Sequence, residues 1–287
     1  MPILAFTADH SDSVSRLEWA AKNSYALEFS PDPLRPDLLP GSVLPFLRRD
    51  IPVRFHTRYF GWEMGHADRH EADKALEVHL ETLKRMQGLS EPVITVHTGL
   101  SPGIPVREKH IVDNLSRLVE YAARLGITVC LENLRLGHAS DPHNIINWAK
   151  ASGAGITMDL GHALGCSMVL DSEITPLEIA DLFDSRIYGV HIYGREDERG
   201  HHPIMDLKPF HALINRLLQT GCGWWTVELN DPEDAAATRN MIEDYLDQAY
   251  IFSSRKRPGQ EIGEPLRRAH GTKRGGSNPR QVSGPAQ

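Results

Sequence analysis

The chain is 287 residues long, with 31 Lys+Arg against 38 Asp+Glu, a formal net charge of −7, and 40% hydrophobic residues. That composition is ordinary for a soluble globular enzyme, and no apolar run approaches the ~18 residues needed to span a bilayer. The first ten residues lack a basic region and a long apolar stretch, which argues against a secretory signal; the scattered Cys130, Cys166 and Cys222 read as reduced, mostly buried thiols of a cytoplasmic protein.

In chain order, short β-branched or aromatic runs at 3–6, 25–29, 53–56, 93–97, 128–132, 155–159, 187–192 and 225–229 predict eight strands. Amphipathic stretches at 11–22, 36–49, 69–87, 106–125, 143–151, 173–184, 206–220 and 232–250 predict helices after them. The third helix shows its period in Ala75, Val78, His79, Leu83 and Met86, and Asp141-Pro142 and Asp231-Pro232 are helix-start signals. Eight strands alternating with eight helices require parallel pairing, and with a core of this size they predict an α/β fold, a single (β/α)8 TIM barrel over residues 1–252. Residues 253–287 hold eight Lys/Arg against two acids, ten Gly or Pro and almost no large apolar side chain. Such a segment cannot bury enough surface to offset its ordering entropy, so it is predicted to be a disordered basic tail. The tail carries +6, which leaves the barrel at −13.

The strand ends carry the chemistry. The third ends in His56, the fourth in His97, the fifth in Glu132, the sixth in Asp159 with His162 one turn on, the seventh in His191 and the eighth in Glu228. A lone His or Asp at a strand end is usually structural. Six in phase at the C-terminal ends of a barrel converge on the mouth where active sites lie. Clustered carboxylates and imidazoles in a low-dielectric mouth repel one another and lose solvation unless a cation joins them. Asp/Glu/His ligation without thiolates suits zinc or manganese, and all-oxygen magnesium less well. Glu132, Asp159, His191 and Glu228 make one four-ligand pocket. Glu132 can bridge to a second ion held by His56 and His97, and His162 and His202 are placed to help hold a third. Glu28 on the second strand is expected behind these ligands, and Arg54 beneath them. Of Trp224 and Trp225, one is expected to face the barrel and the other the helices.

The motifs Val-His-Thr-Gly (96–99), Leu-Glu-Asn (131–133), Asp-Leu-Gly-His (159–162), Val-His-Ile (190–192) and Val-Glu-Leu (227–229) resemble, in order and spacing, those of the xylose isomerase-like, or AP endonuclease family 2, TIM barrels over the whole of 1–252. One branch of that family, the sugar isomerases and epimerases, implies one manganese or cobalt ion on Glu132, Asp159, His191 and Glu228. There Glu132 and Glu228 double as the acid/base pair of an enediolate reaction. The other branch, the endonuclease IV-like phosphodiesterases, implies two or three zinc ions. Its His-x-x-Tyr and His-x-Gly patterns are matched by His56-Thr-Arg-Tyr59 and His97-Thr-Gly99. The isomerase branch requires neither histidine, and often places a second Glu where this chain has His138. The balance favours phosphoester hydrolysis, with Glu132, Glu228 and His162 as candidate catalytic groups. One departure touches the third ion: the resemblance places an Asp two residues before the last His ligand, and Gly200 stands there.

Abasic DNA is the substrate of the best-known relatives. A barrel at −13 argues against DNA, since duplex affinity comes largely from neutralising phosphates. The loops at 57–68 and 193–205 are also short for grasping a duplex. Similarity to the cobamide-remodelling phosphodiesterases instead implies a small-molecule phosphodiester, such as a cobamide nucleotide loop. Tyr59, Arg195 and Arg199 are the candidate substrate-binding side chains, with no membrane partner expected.

Overall fold

The computed structural model describes residues 1–255, apart from Ser13, Ser90 and Pro102, with side chains described up to 249. The predicted disordered tail lies outside these residues but for its first three. In chain order come β1 (Ile3–Asp9), α1 (Val14–Lys22), β2 (Ala26–Ser30), α2 (Leu39–Leu47), β3 (Val53–Thr57), α3 (Arg69–Met86), β4 (Val93–Val96), α4 (Glu108–Arg124), β5 (Thr128–Glu132), α5 (Pro142–Ser152) and β6 (Gly155–Asp159). There follow α6 (Leu160–Gly165), α7 (Ser167–Leu170), α8 (Pro176–Phe183), β7 (Ile187–Ile192), a hairpin of β8 (Arg195–Asp197) and β9 (Gly200–His202), α9 (His211–Gln219), β10 (Trp224–Val227) and α10 (Pro232–Arg255). Strands β1 to β7 and β10 close into a parallel barrel in the order β1-β10-β7-β6-β5-β4-β3-β2. Among the described residues no helix is long and apolar enough to cross a membrane.

Local chemistry sets these elements. The Asp68 side chain accepts from His70 and Glu71 N–H and starts α3; Asp141 caps α5 ahead of Pro142, and Thr175 and Glu178 form a reciprocal capping box on α8. Along α3 the buried stripe of Ala72, Ala75, Leu76, His79, Thr82, Leu83 and Met86 packs on the barrel, while Val78 stays only half-buried. Trp225 joins the large core between strands and helices. Trp224 points into the barrel, where its ring lies 4.6 Å beneath the Arg54 guanidinium. Arg54 donates to the Tyr188 carbonyl at 2.8 Å, three residues before His191 on the same strand, so it plugs the barrel at a level below the ligand cluster.

The barrel interior is crossed by a polar network centred on Glu28. Its carboxylate accepts from Thr95 Oγ1 at 2.9 Å, from the Trp224 indole N–H at 3.2 Å and from the Thr226 hydroxyl. Thr95 and Thr157 also share a hydrogen bond of 2.9 Å. This layer, from four strands and the Trp224 ring, is the floor of the mouth above it.

Candidate metal centre

Parallel register brings the strand-end groups to one level, with Asp159 beside His191 and Thr226 beside His191 on the other side. His56, His97, Glu132, Asp159, His191 and Glu228 are all buried. Glu132 is the hub. Its Oε2 lies 3.0 Å from His56 Nε2, 3.0 Å from His97 Nε2 and 3.2 Å from His191 Nδ1. The two Nε2 atoms are 3.1 Å apart, so His56, His97 and Glu132 present three ligand atoms in a near-equilateral triangle. His191 Nδ1 also lies 3.2 Å from Glu228 Oε2 and 3.9 Å from Asp159 Oδ2, giving a second group of Glu132, Asp159, His191 and Glu228.

These atoms fit divalent cations. Ligands ~2.0–2.1 Å from a tetrahedral zinc stand roughly 3.3 Å from one another, close to the edges of both groups. Buried polar atoms normally find hydrogen-bond partners, yet both Glu132 oxygens, Asp159 Oδ2 and His191 Nδ1 make no hydrogen bond. His191 Nε2 meets Glu28 Oε1 at 3.2 Å, so the imidazole N–H is committed to that carboxylate and the Nδ1 lone pair is directed at the cluster.

The electrostatics point the same way. Burial disfavours charge on Glu132 and Glu228, but the imidazoles of His191 and His56, joined by His97 at Glu132 and by His201 at Glu228, outweigh it and hold both carboxyls well below their ordinary range. Burial likewise opposes charge on His191, and Glu132, Glu28 and Glu228 reverse the balance and push its pKa well up. Asp159 is raised to about 6 by burial, with Glu132 and Glu228 adding to the shift against the opposing pull of His162. The same carboxylates that draw a proton onto His191 would draw a divalent cation in its place, which frees the Nδ1 lone pair as a ligand.

Asp159 has two duties. Its Oδ1 accepts the His162 N–H at 2.6 Å and so starts α6, while Oδ2 faces the ligands. Asn133 clamps the same corner: its amide pairs with the Asp159 backbone at 2.9 and 3.0 Å, and its carbonyl meets His162 Nδ1 at 2.9 Å. His162 Nε2 is thereby turned outward, 3.5 Å from Glu196 Oε2. Burial works against charge on His162, but Asp159, Glu132 and Glu196 lift its pKa to about 10.

The hairpin corrects one expectation. Glu196 and His201 are cross-strand partners and face the mouth with His162, the three forming a further potential ligand group. His202, expected as the outer ligand, instead lies 2.8 Å from Asp197 across the hairpin, because neighbours along a strand point to opposite faces. His201 stacks on Tyr193 with ring centroids 3.9 Å apart, and its Nδ1 reaches the Glu228 carbonyl at 2.8 Å. Tyr59 also departs from expectation: it is only 3% exposed, packs on His79 and shares a 2.8 Å hydrogen bond with Thr82. Arg195 and Arg199 are exposed at the hairpin, where the Arg195 guanidinium lies 3.9 Å from Asp197 and the Arg199 backbone N–H donates to the same carboxylate. The cations beside the centre are Arg58, 3.4 Å from Glu228 and 3.0 Å from Asp9, and Arg135, 2.7 Å from Glu196. Glu63, unflagged by the sequence, is buried and accepts the Gly99 and Ser101 N–H groups at 2.6 Å each, fixing the loop after His97.

Residues 47–245 match the family model described as the xylose isomerase-like TIM barrel. An uncharacterised protein of Methanocaldococcus jannaschii is 31% identical over 154 residues, which are 54% of this chain and 66% of that protein, just under two thirds of its length. A D-tagatose 3-epimerase-like protein superposes with a TM-score of 0.68 at 20% identity, covering 88% of this chain and all of that one. Endonuclease IV from Thermus thermophilus superposes with a TM-score of 0.61 at 18% identity over 86% of this chain and all of that one. At such identities the two superpositions speak for the barrel and not for a reaction. The family match spans the strand ends from His56 to Glu228, and the chain belongs to the xylose isomerase-like TIM barrel family.

Proposed function

We propose that this protein is a metal-dependent phosphodiesterase acting on a small-molecule phosphodiester through a multinuclear, zinc-type centre. One observation carries the reading: the triangle of His56, His97 and Glu132 exists in addition to the complete four-ligand group on Glu132, Asp159, His191 and Glu228. A single-metal isomerase needs only the second group. Two histidines buried beside a shared carboxylate would then be an unexplained cost. Divalent ions at such a centre neutralise the anionic oxygens of a phosphodiester and supply a nucleophile at neutral pH.

The residues do the rest. Glu132 belongs to both ligand groups, so with His56 and His97 on one side and Asp159, His191 and Glu228 on the other it would hold neighbouring ions next to one another. The Glu28–His191 contact fixes the imidazole that both carboxylates surround. Arg58, beside Glu228, adds positive charge at the rim, and His162 offers Nε2 toward the mouth as a proton donor to a departing alkoxide. Water attacks phosphorus, one P–O ester bond breaks, and the products are a phosphomonoester and an alcohol. The acidic barrel favours a small substrate over a duplex, and the nucleotide loop of a cobamide is of the expected kind.

Metal analysis of the purified protein tests this directly. Two or three zinc ions per chain and chelator-sensitive hydrolysis of bis(p-nitrophenyl) phosphate are expected, with His56→Ala and His97→Ala each losing one ion and about a hundredfold or more in rate. If both variants keep full activity while Glu132→Ala abolishes it, the multinuclear reading fails. One manganese or cobalt per chain with solvent exchange of a ketose carbon-bound proton would establish the isomerase instead.

A further inference from the structure

A cavity of about 370 Å³ opens beside the centre and is lined at its inner end by His162 and Glu196. Its volume falls within the ~300–1,000 Å³ of small-molecule sites. The outer wall is apolar: Leu100, Ile104, Val106 and Leu134 line it, and Phe60 and Leu136 stand at the rim 66% and 63% exposed. Large apolar side chains left in water at the edge of a pocket are a binding feature more often than a packing one.

Most polar groups in this wall are already engaged, the exposed His138 imidazole excepted. Arg135 is held by Glu196 at 2.7 Å, Ser101 Oγ accepts the Gly61 N–H at 2.7 Å, and the Gly99 and Ser101 N–H groups go to Glu63. A polyol lying here would lose water from its hydroxyls and find few partners, whereas an uncharged ring would lose nothing. His162 lines this cavity and stands 3.5 Å from Glu132 and from Asp159, so whatever fills the cavity lies directly beside the ligand cluster. We infer that the substrate carries an uncharged aromatic or aliphatic ring next to its phosphodiester, and that Phe60, Leu134 and Leu136 select for it. This rests on the phosphodiesterase reading and narrows it to diesters with an apolar substituent.

The probes are two monoanions with poor alkoxide leaving groups, methyl methylphosphonate and benzyl methylphosphonate, titrated calorimetrically into the zinc-loaded protein on a timescale checked to precede any turnover. They share charge and phosphonate and differ in one phenyl ring. The benzyl ester is expected to bind about tenfold tighter, the gain from withdrawing part of a ring from water. Leu136→Asn and, independently, Phe60→Ala should reduce that preference to about threefold or less while leaving zinc content and the methyl ester's affinity unchanged. Both side chains are largely exposed, so neither change threatens the fold. Equal affinities for the two esters in the native protein would overturn the ring subsite while leaving phosphodiester binding intact. Failure of both esters to bind would remove the phosphodiesterase reading itself, and the subsite with it.

Discussion

Glu28→Gln separates the floor of the barrel from the metal centre above it. Glu28 is fully buried and receives His191, Thr95, Trp224 and Thr226. Burial disfavours its charge, yet His191, His56 and Thr226 hold its pKa down to about 2, so it is a carboxylate at any working pH. Glutamine keeps the shape but exchanges one acceptor for an N–H₂ group. The amide N–H₂ would face the Trp224 indole N–H on the Oε2 side or the His191 Nε2–H on the Oε1 side, so whichever way it turns, one donor faces a donor. An unsatisfied buried donor costs about 1–3 kcal/mol, and the weakening of charge-assisted bonds adds on the order of 1 kcal/mol. A loss of about 2–4 kcal/mol in urea-derived stability is therefore expected. His191 loses its anionic partner too, and ligand-orienting carboxylates of this kind are worth about 10–100-fold in metal affinity. Competition against a chromogenic chelator should show that weakening at the four-ligand group, with the His56 and His97 group affected less. If the variant binds zinc within about twofold of the native protein, Glu28 does not orient His191 and the floor is structural alone.

His79 is buried without a hydrogen bond to its Nδ1, and burial, with a smaller contribution from His97, lowers its pKa to about 3. The unfolded chain takes up a proton below about 6.5 that the folded chain refuses, so the neutral ring's contribution is complete above 6.5 and is lost as pH falls toward 3. By pH 5 the penalty is about 2 kcal/mol, so urea titrations should show the native protein losing that much stability relative to His79→Leu between pH 7.5 and 5; parallel curves would contradict it. At Gly161 an added Cβ would sit 2.0 Å from the ring of fully buried Tyr193, so Gly161→Ala should cost about 1–3 kcal/mol and disturb His201, which stacks on that ring. A lowered melting temperature with altered His201 chemical shifts would report it, and an unchanged melting curve would refute it. Asp159→Asn keeps a helix-capping oxygen for α6 whereas Asp159→Ala removes it, so in chelator the Ala variant should be about 1 kcal/mol less stable than the Asn variant, and both should bind less zinc. Equal stabilities in urea would show that the cap carries no weight.

The barrel was legible because parallel strands covered on both faces read as continuous apolar runs, and because six of the eight runs carried a polar residue at their C-terminal end that packing could not explain. Strands β4 and β10 stop just before His97 and Glu228, so these ligands sit one residue beyond the ladder, while β1 runs three residues past its expected end to Asp9. The register of the 195–202 hairpin was not legible, since two adjacent histidines offer no signal of which one faces inward until the cross-strand partner is known. Tyr59 failed for a related reason. Beyond Thr57 the alternation of β3 no longer applies, and the ring turns under α3 to reach Thr82, a partner remote in sequence. Glu63 gave no signal at all, because it binds backbone N–H groups that every loop possesses.

The same contrast explains why the centre is built as it is. Each ligand stands on a strand end or one residue beyond it, where the ladder fixes the backbone, and none of the six depends on the hairpin. Glu196 and His201 stand on a two-stranded sheet with few neighbours, held by the Arg135 pair, the stack on Tyr193 and one bond to the Glu228 carbonyl. A rigid inner cluster with a loop-borne outer one lets the ligand geometry stay fixed while the rim adapts to the substrate. The two layers meet at His162, whose position is set by Asp159 and Asn133 below and whose Nε2 faces Glu196 above. Selectivity at the rim can therefore be altered at Phe60 and Leu136 without touching a ligand, whereas a change at Asn133 reaches both the ligand cluster and the mouth.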